Sequence, residues 1–498
     1  MNILKRKIIL SLILLFAFGF KLFAYESITF TWRGGYFAIT ATPGKQYTIN
    51  WGDGSAIETI TAEALYDNHS YFYTNGYYLY TVTINALSND CKFTKFECQA
   101  EMNSLNFSNA PSMLEIFCWK RKLTTLDISK NIALTRLECP GNQLKTLDVS
   151  KNVNLEILNC ANSQLSTLVL GNNTKLTSLS CRENSLTGLN ISNCTALEWL
   201  YCRTNKLMEL DVSKNKKITH LDCSDNKLKK LDLSKNTNLE ILECSVNQIT
   251  SIDVSKSVNL RLLFCRDNQL TTLDLRNSVG LFNIDCDNNR LKKIEFKEGL
   301  QLECDLRCRE NQLPLSELYI LLNYFSVHSW IALGTQRLEK KFPPGSIVDF
   351  SSQKEFGGIK TVFAVEKNGM PASEDDYTLI DGIFKFYKIG DYTITMMNDA
   401  ISSQLWSDIT KVIAAISVRN IGVVETQHAT SLHLYPNPVS NILYIDMENT
   451  PTPPEVKIYS LQGVLVLQTN GNQIDVSSLP AGCYVANVNG INRKIIKQ

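Results

Sequence analysis

The chain has 498 residues, with 50 basic and 49 acidic side chains and a formal net charge of +1. That length holds three or four domains. The balanced charge, with no basic stripe, argues against nucleic acid as a partner.

At the amino terminus Lys5, Arg6 and Lys7 precede an apolar run from Ile8 to Phe20, and Ala24 offers a small residue for cleavage. The run is too short to span a bilayer, so residues 1–24 read as a signal peptide. No other stretch approaches the length of a membrane span, which predicts no transmembrane segment in the mature chain.

Residues 25–90 alternate in strand fashion around Trp51-Gly52-Asp53-Gly54, followed by His69-Ser70-Tyr71 and a closing Tyr78-Leu79-Tyr80-Thr81-Val82. The segment resembles a polycystic-kidney-disease (PKD) repeat, which implies an immunoglobulin-like sandwich. Asp53 reads as a turn residue. The module is expected to cap the first coil of the cysteine-bearing repeats beyond residue 90, since an open coil end exposes apolar side chains.

From Cys118 to Cys286 nine cysteines fall 21 residues apart without a slip. Three residues after each stands Asn142, Asn184, Asn205, Asn226, Asn247, Asn268 or Asn289, with Ser163 the exception; two residues before stands Leu137, Leu158, Leu179, Leu200, Leu221, Leu242, Leu263 or Ile284. Fixed-period self-similarity of this kind predicts a solenoid. Each unit reads LxxLxCxxNxL and then a shorter LxxLxVxxN, which resembles the leucine-rich repeat in its nested, IRREKO-like form. With Cys98 and Cys308 one residue out of step at the ends, about eleven rungs are expected within 91–334, closed by a short helix in 314–334. Inward amides are expected to satisfy the buried backbone of the turns.

In-register cysteines hold their Cβ atoms near the strand spacing, beyond disulfide reach. Metal-binding CxxC pairs are missing from the ladder. Buried free thiols acting as small apolar fillers are therefore expected, with disulfides conceivable only for Cys91–Cys98 and Cys304–Cys308.

The outward positions differ between the two halves of a rung. Beside the LDVS half-strands they are monotonous, with Asp127, Asp148, Asp211 and Asp253 followed by lysines that offset them, as on a solvated face. Beside the cysteine strands they vary and are large. This face lines the concave side of a leucine-rich solenoid, and Trp, Tyr and Arg are the types that dominate binding hot spots. Trp199, Tyr201 and Arg203, supported by Arg182, His220, Phe264, Arg266 and Trp119, are the expected contact residues. The competing reading has Trp199 and Tyr201 merely covering the apolar ladder or packing on a neighbouring domain.

Residues 335–420 show a second β pattern, with turns at Asn368-Gly369 and Asp381-Gly382, read as another immunoglobulin-like sandwich. Residues 421–431 form a linker. Residues 432–498 run through short alternating strands that predict a small β-sandwich. They carry Tyr435-Pro436-Asn437-Pro438, Gly463, Gly482, Tyr484 and a basic tail, and so resemble the C-terminal sorting domain of the type IX secretion system of Bacteroidota. The resemblance implies handling by that machinery and a place on the outer-membrane surface or in the medium.

Only five histidines occur, scattered, and no HExxH, GxSxG elbow or phosphate-cradling loop is present. No enzyme, cofactor or metal site is expected. The fold class expected is a parallel-β solenoid flanked by all-β sandwiches. Its expected function is binding of an extracellular protein, for adhesion or host interaction, through the strand face. A glycan partner or a structural spacer role are the alternatives.

Overall fold

A computed structural model describes residues 25–418 and 432–498, apart from 65, 74–77, 99–100, 120–121, 327, 343–345, 403–409, 436–438, 440, 448–453, 461–463 and 489–490. The expected signal peptide, the linker, and Pro436, Asn437, Pro438 and Gly463 of the sorting motif lie outside the described residues. Two compact units divide the chain. One holds the described residues of Met1–Glu339, Phe350–Val365 and Ile394–Ala415, and the other those of Lys340–Asp349, Glu366–Thr393 and Ile416–Gln498.

The 21-residue beat becomes one long sheet in the first unit. Eleven strands, from Phe93–Cys98 to Asp305–Arg307, follow one another in parallel register. Leu179 lies opposite Leu200, and Leu200 opposite Leu221. One short strand cannot bury its Leu and Cys alone. Stacked, Leu158, Cys160, Leu179, Cys181, Leu200 and Cys202 reach zero exposure. The second half-rungs pair over short stretches, as in Thr146–Asp148 against Thr167–Val169.

Amides stitch the rungs together. Asn205 Nδ2 donates to the carbonyls of Cys181 and Cys202, both at 3.0 Å, while its Oδ1 accepts the N–H of Leu186 at 3.0 Å. Two residues past the cysteine the backbone turns left-handed in six successive rungs, at Glu183, Thr204, Asp225, Val246, Asp267 and Asn288, with φ of 53–55°. The acidic half-rung column also has a structural task. Asp127, Asp211, Asp232 and Asp253 accept the N–H of the serine two residues on, at 2.8–2.9 Å. Hydrogen bonds from those serines hold the four carboxyls below their usual range.

Both ends of the sheet are covered. At the first rung Gly35–Ala41 pairs antiparallel with Phe93–Cys98, placing Phe37 opposite Cys98, and Asp67–Tyr71 extends the sheet beyond it. Ser27–Trp32 joins a second sheet between Tyr80–Ala86 and Met102–Asn109. Phe30, Trp32, Phe37, Phe96 and Phe107 are fully buried and meet edge to face at 5.3–5.6 Å. At the far end Ile331–Ala332 adds a twelfth parallel strand. There Gln336 takes the asparagine's place, donating to Cys308 O at 2.8 Å and Leu333 O at 2.7 Å. The helix Leu315–Leu322 turns Leu315, Leu318, Leu321 and Leu322 inward. Pro314 provides no side-chain cap, and Gln353 Oε1 accepts the Ser316 N–H at 3.0 Å instead.

All fifteen cysteines are free, which corrects the disulfides considered for the two ends. Cys98 stands in ladder register opposite Cys118, and the Cys304 thiol points to its neighbour's carbonyl, Asp305 O at 3.3 Å.

In the second unit Ile383–Phe386 pairs with Ile347–Asp349 and with Tyr377–Ile380. The Asp381-Gly382 and Asn368-Gly369 turns both have two successive positive φ values, as the primed hairpin turn requires. Toward the carboxyl terminus, a three-stranded and a four-stranded sheet enclose one core that includes Leu443, Ile445, Val456, Ile458 and Ala486. Tyr484 is buried in it, and its hydroxyl donates to Pro480 O at 2.8 Å. The final strand is tied at its end, with Gln498 N–H donating to Val439 O at 2.9 Å.

Candidate binding face

The side chains that leave the cysteine strands outward form columns running across the rungs. Trp199 and Tyr201 sit in one strand, with Leu200 between them pointing inward. Trp199 is 36% exposed, so it does not serve as core. Its ring stands 6.3 Å from that of His220 on the next rung, and His220 Nδ1 lies 2.8 Å from the Thr219 hydroxyl. Tyr201 is half-buried, and desolvation pushes its hydroxyl pKa upward.

One residue past each cysteine runs the column Trp119, Pro140, Ala161, Arg182, Arg203, Ser224, Ser245, Arg266, Asp287 and, past Cys308, Arg309. The backbone of Glu183 bonds to that of Arg203, so Arg182 and Arg203 stand in adjacent rungs. Both are exposed. Phe264, Arg266 and Arg203 share a depression of 330 Å³ with Ser224, Ser245, Glu243, Asp285 and Arg307. Trp119 and Arg182 share another, of 470 Å³, with Pro140, Ala161, Glu138 and Glu183. The structure thus gathers all eight expected contact residues on one face, Trp199 with Tyr201 and His220 at one group, and the rest along these two depressions.

Sequence reasoning sets Asp222 and Asp285 among the outward groups of this face, though not among the contact residues, and passes over Glu243. Asp222 and Asp285 are buried although they belong to this face, and Glu243 is half-buried. Desolvation pushes the Glu243 and Asp285 pKa values up, with Asp222 adding to the effect at Glu243. Their recurrence in the column before the cysteine was visible, but burial is not readable from an acidic side chain. Ser224 and Ser245 were also overlooked, because small residues matter here by leaving space.

Among the described residues no His, Cys, Asp and Glu group is placed to hold a metal ion, and no helix is long and apolar enough to cross a membrane. The arrangement presents aromatic edges, guanidiniums and partly desolvated carboxyls on a regular stack of strands.

These features define a leucine-rich-repeat-like solenoid followed by a secretion tail. Residues 433–498 match the secretion system C-terminal sorting domain family. A tail of this type indicates export, to the cell surface or the medium. The functional domain of InlJ from Listeria monocytogenes, described as including a cysteine ladder, is 22% identical, over 65% of this chain and 81% of that one, with a TM-score of 0.41. The Leptospira interrogans leucine-rich-repeat protein LIC12759 is 20% identical, over 47% and 67%, with a TM-score of 0.36. YopM from Yersinia pestis is 24% identical, over 47% and 68%, with a TM-score of 0.36. No curated protein matches the chain.

Proposed function

We propose that this chain is a surface-attached or released binding protein whose strand face engages an extracellular protein, in adhesion or host interaction. The observation that carries the reading is the cluster of Trp199 and Tyr201 on one strand, with Arg203 two residues beyond it on the same rung of a regular scaffold. Large aromatic and guanidinium groups held outward at this density favour a macromolecular contact. The proposed order is signal peptide 1–24, PKD-like cap 25–90, solenoid 91–334 of IRREKO type, immunoglobulin-like sandwich 335–420, linker 421–431 and sorting domain 432–498. The type IX tail also favours an origin in Bacteroidota. Trp199, Tyr201, Arg203, Arg182, His220, Phe264, Arg266 and Trp119 make up the contact surface.

The test is capture from host matrix proteins, bacterial envelope extracts and a glycan array, comparing wild type with the Trp199→Ala, Tyr201→Ala, Arg203→Ala triple variant after circular dichroism shows equal folding. A protein hit lost in the variant supports the reading. A hit kept by the variant moves the site elsewhere, binding only to glycans changes the partner class, and no hit at all favours a structural spacer.

A further inference from the structure

The column after the cysteines has a size pattern that the repeat itself does not require. Large Trp119 is followed by small Pro140 and Ala161, then by large Arg182 and Arg203, then by small Ser224 and Ser245, then by large Arg266, with the ion-paired Asp287 and Arg309 ending the column. Each small pair floors one of the two depressions, of 470 and 330 Å³. The two arginines form the ridge between them. Rungs repeat at about 4.8 Å, so the depressions are centred roughly 19 Å apart, four rungs, with the ridge midway.

Charge singles out the ridge. Other arginines of this face already have partners: Arg309 binds Asp287 at 2.7 Å, Arg266 approaches Asp267 at 3.5 Å, Arg136 pairs with Glu138, and Arg307 lies 4.7 Å over the Trp330 ring. Arg182 and Arg203 form no ion pair among the described residues, although both are exposed and adjacent. The acids nearby form no ion pair with them among the described residues. Asp222 is buried and accepts the Ser224 N–H at 3.1 Å. Glu243 is half-buried, and desolvation raises its pKa while the charge of Arg203 works against that rise. Glu183, the exposed carboxyl of the same rung as Arg182, forms no ion pair among the described residues.

We infer that Arg182 and Arg203 form an anion-recognising ridge that receives an acidic side-chain cluster of a protein partner, whose flanking side chains seat in the two depressions. The inference rests on the proposed function and names the partner's chemistry at that same face. Two neighbouring guanidinium forks match a pair of carboxylates, each by bidentate hydrogen bonding. The floors of Pro140 with Ala161 and Ser224 with Ser245 leave room for side chains on either side. The partner's complementary feature is therefore an Asp/Glu-rich turn or strand with a bulky residue on each flank.

The probe is a random-peptide display library selected on the full chain. Enriched peptides are expected to share an acidic cluster. Their binding should fall by more than about tenfold in Arg182→Glu/Arg203→Glu. It should hold in Lys151→Glu/Lys214→Glu, which changes net charge equally on the other half-rung. Arg182→Gln/Arg203→Gln, which keeps the bulk of the side chains, guards against misfolding and should also lose binding. Peptides without acidic preference, or equal losses in the ridge and control variants, would overturn the ridge. If such peptides still depend on Trp199 and Tyr201, the strand-face reading survives alone. Enrichment indifferent to both sets of variants, or none, removes both.

Discussion

Asn205 bridges two rungs by donating to Cys181 O and Cys202 O, both at 3.0 Å, and it is buried at that position. Replacing it leaves the Leu186 N–H without its acceptor and removes one of two amide donors from each carbonyl, since Asn184 also reaches Cys181 O at 2.9 Å and Asn226 reaches Cys202 O at 3.1 Å. Each buried group left without a partner costs about 1–3 kcal/mol. Asn205→Leu is therefore expected to destabilise the solenoid by about 1–3 kcal/mol, read as a lowered urea midpoint. Asn205→Ser should lose less, because Ser163 fills the same slot, its hydroxyl donating to Cys139 O at 3.2 Å.

Val246 occupies the left-handed turn with φ 55° and is exposed. A β-branched residue there is strained, by roughly 1–2 kcal/mol. Val246→Asn should raise the urea midpoint by about 1 kcal/mol of stability, since the same turn accepts Asn288 with φ 55°. An unchanged or lowered midpoint would contradict the strain assigned to it.

The thiols of the ladder should be inert in the folded protein. Burial pushes Cys181 up to about 12 and Cys194 to about 11, and raises Cys139, Cys160, Cys202 and Cys244 well above the usual range. The thiolate is the reactive form. A thiol reagent at neutral pH should modify Cys483, which is only half-buried, and reach the ladder only after denaturation. Rapid native modification of Cys181 or Cys202, mapped by peptide mass, would contradict the packing.

The amino-terminal module carries a pH dependence. Tyr47 donates to Asp67 Oδ2 at 2.9 Å, so its oxygen accepts from the Nε2–H of His69 at 2.8 Å. Desolvation, opposed by Asp67 and Glu58, lowers the His69 pKa in the folded state. The unfolded chain then binds the proton first as pH drops below about 6.5, the ordinary value. Stability is complete above that pH and is lost as pH falls toward the lowered folded value. The thermal midpoint should fall from pH 7.5 to pH 5.5 by more in wild type than in His69→Gln. Equal falls would contradict it.

Much of the fold was legible because a solenoid makes nearest-neighbour contacts. The 21-residue spacing alone places Leu179 beside Leu200, and the Asn column beside the carbonyls it serves. The pairing of Phe37 with Cys98 was not legible, since nothing local specifies which strand covers an open edge. Gln336 was missed because a helix is inserted between Cys308 and its rung, breaking the period. The contact residues were legible as large outward groups, whereas the depressions depend on Pro140, Ala161, Ser224 and Ser245, which are conspicuous only for what they lack.

The central claim, that the cysteine-strand face meets a protein partner, is tested most directly by site-specific photo-crosslinking in the exporting cells. A photoreactive phenylalanine analogue replaces Tyr201 in one variant and Asp148, on the outward side of the other half-rung, in a second. Protease-sensitive adducts formed from position 201 and absent from position 148 are the predicted result. Adducts from 148 alone, from both equally, or from neither would contradict the account.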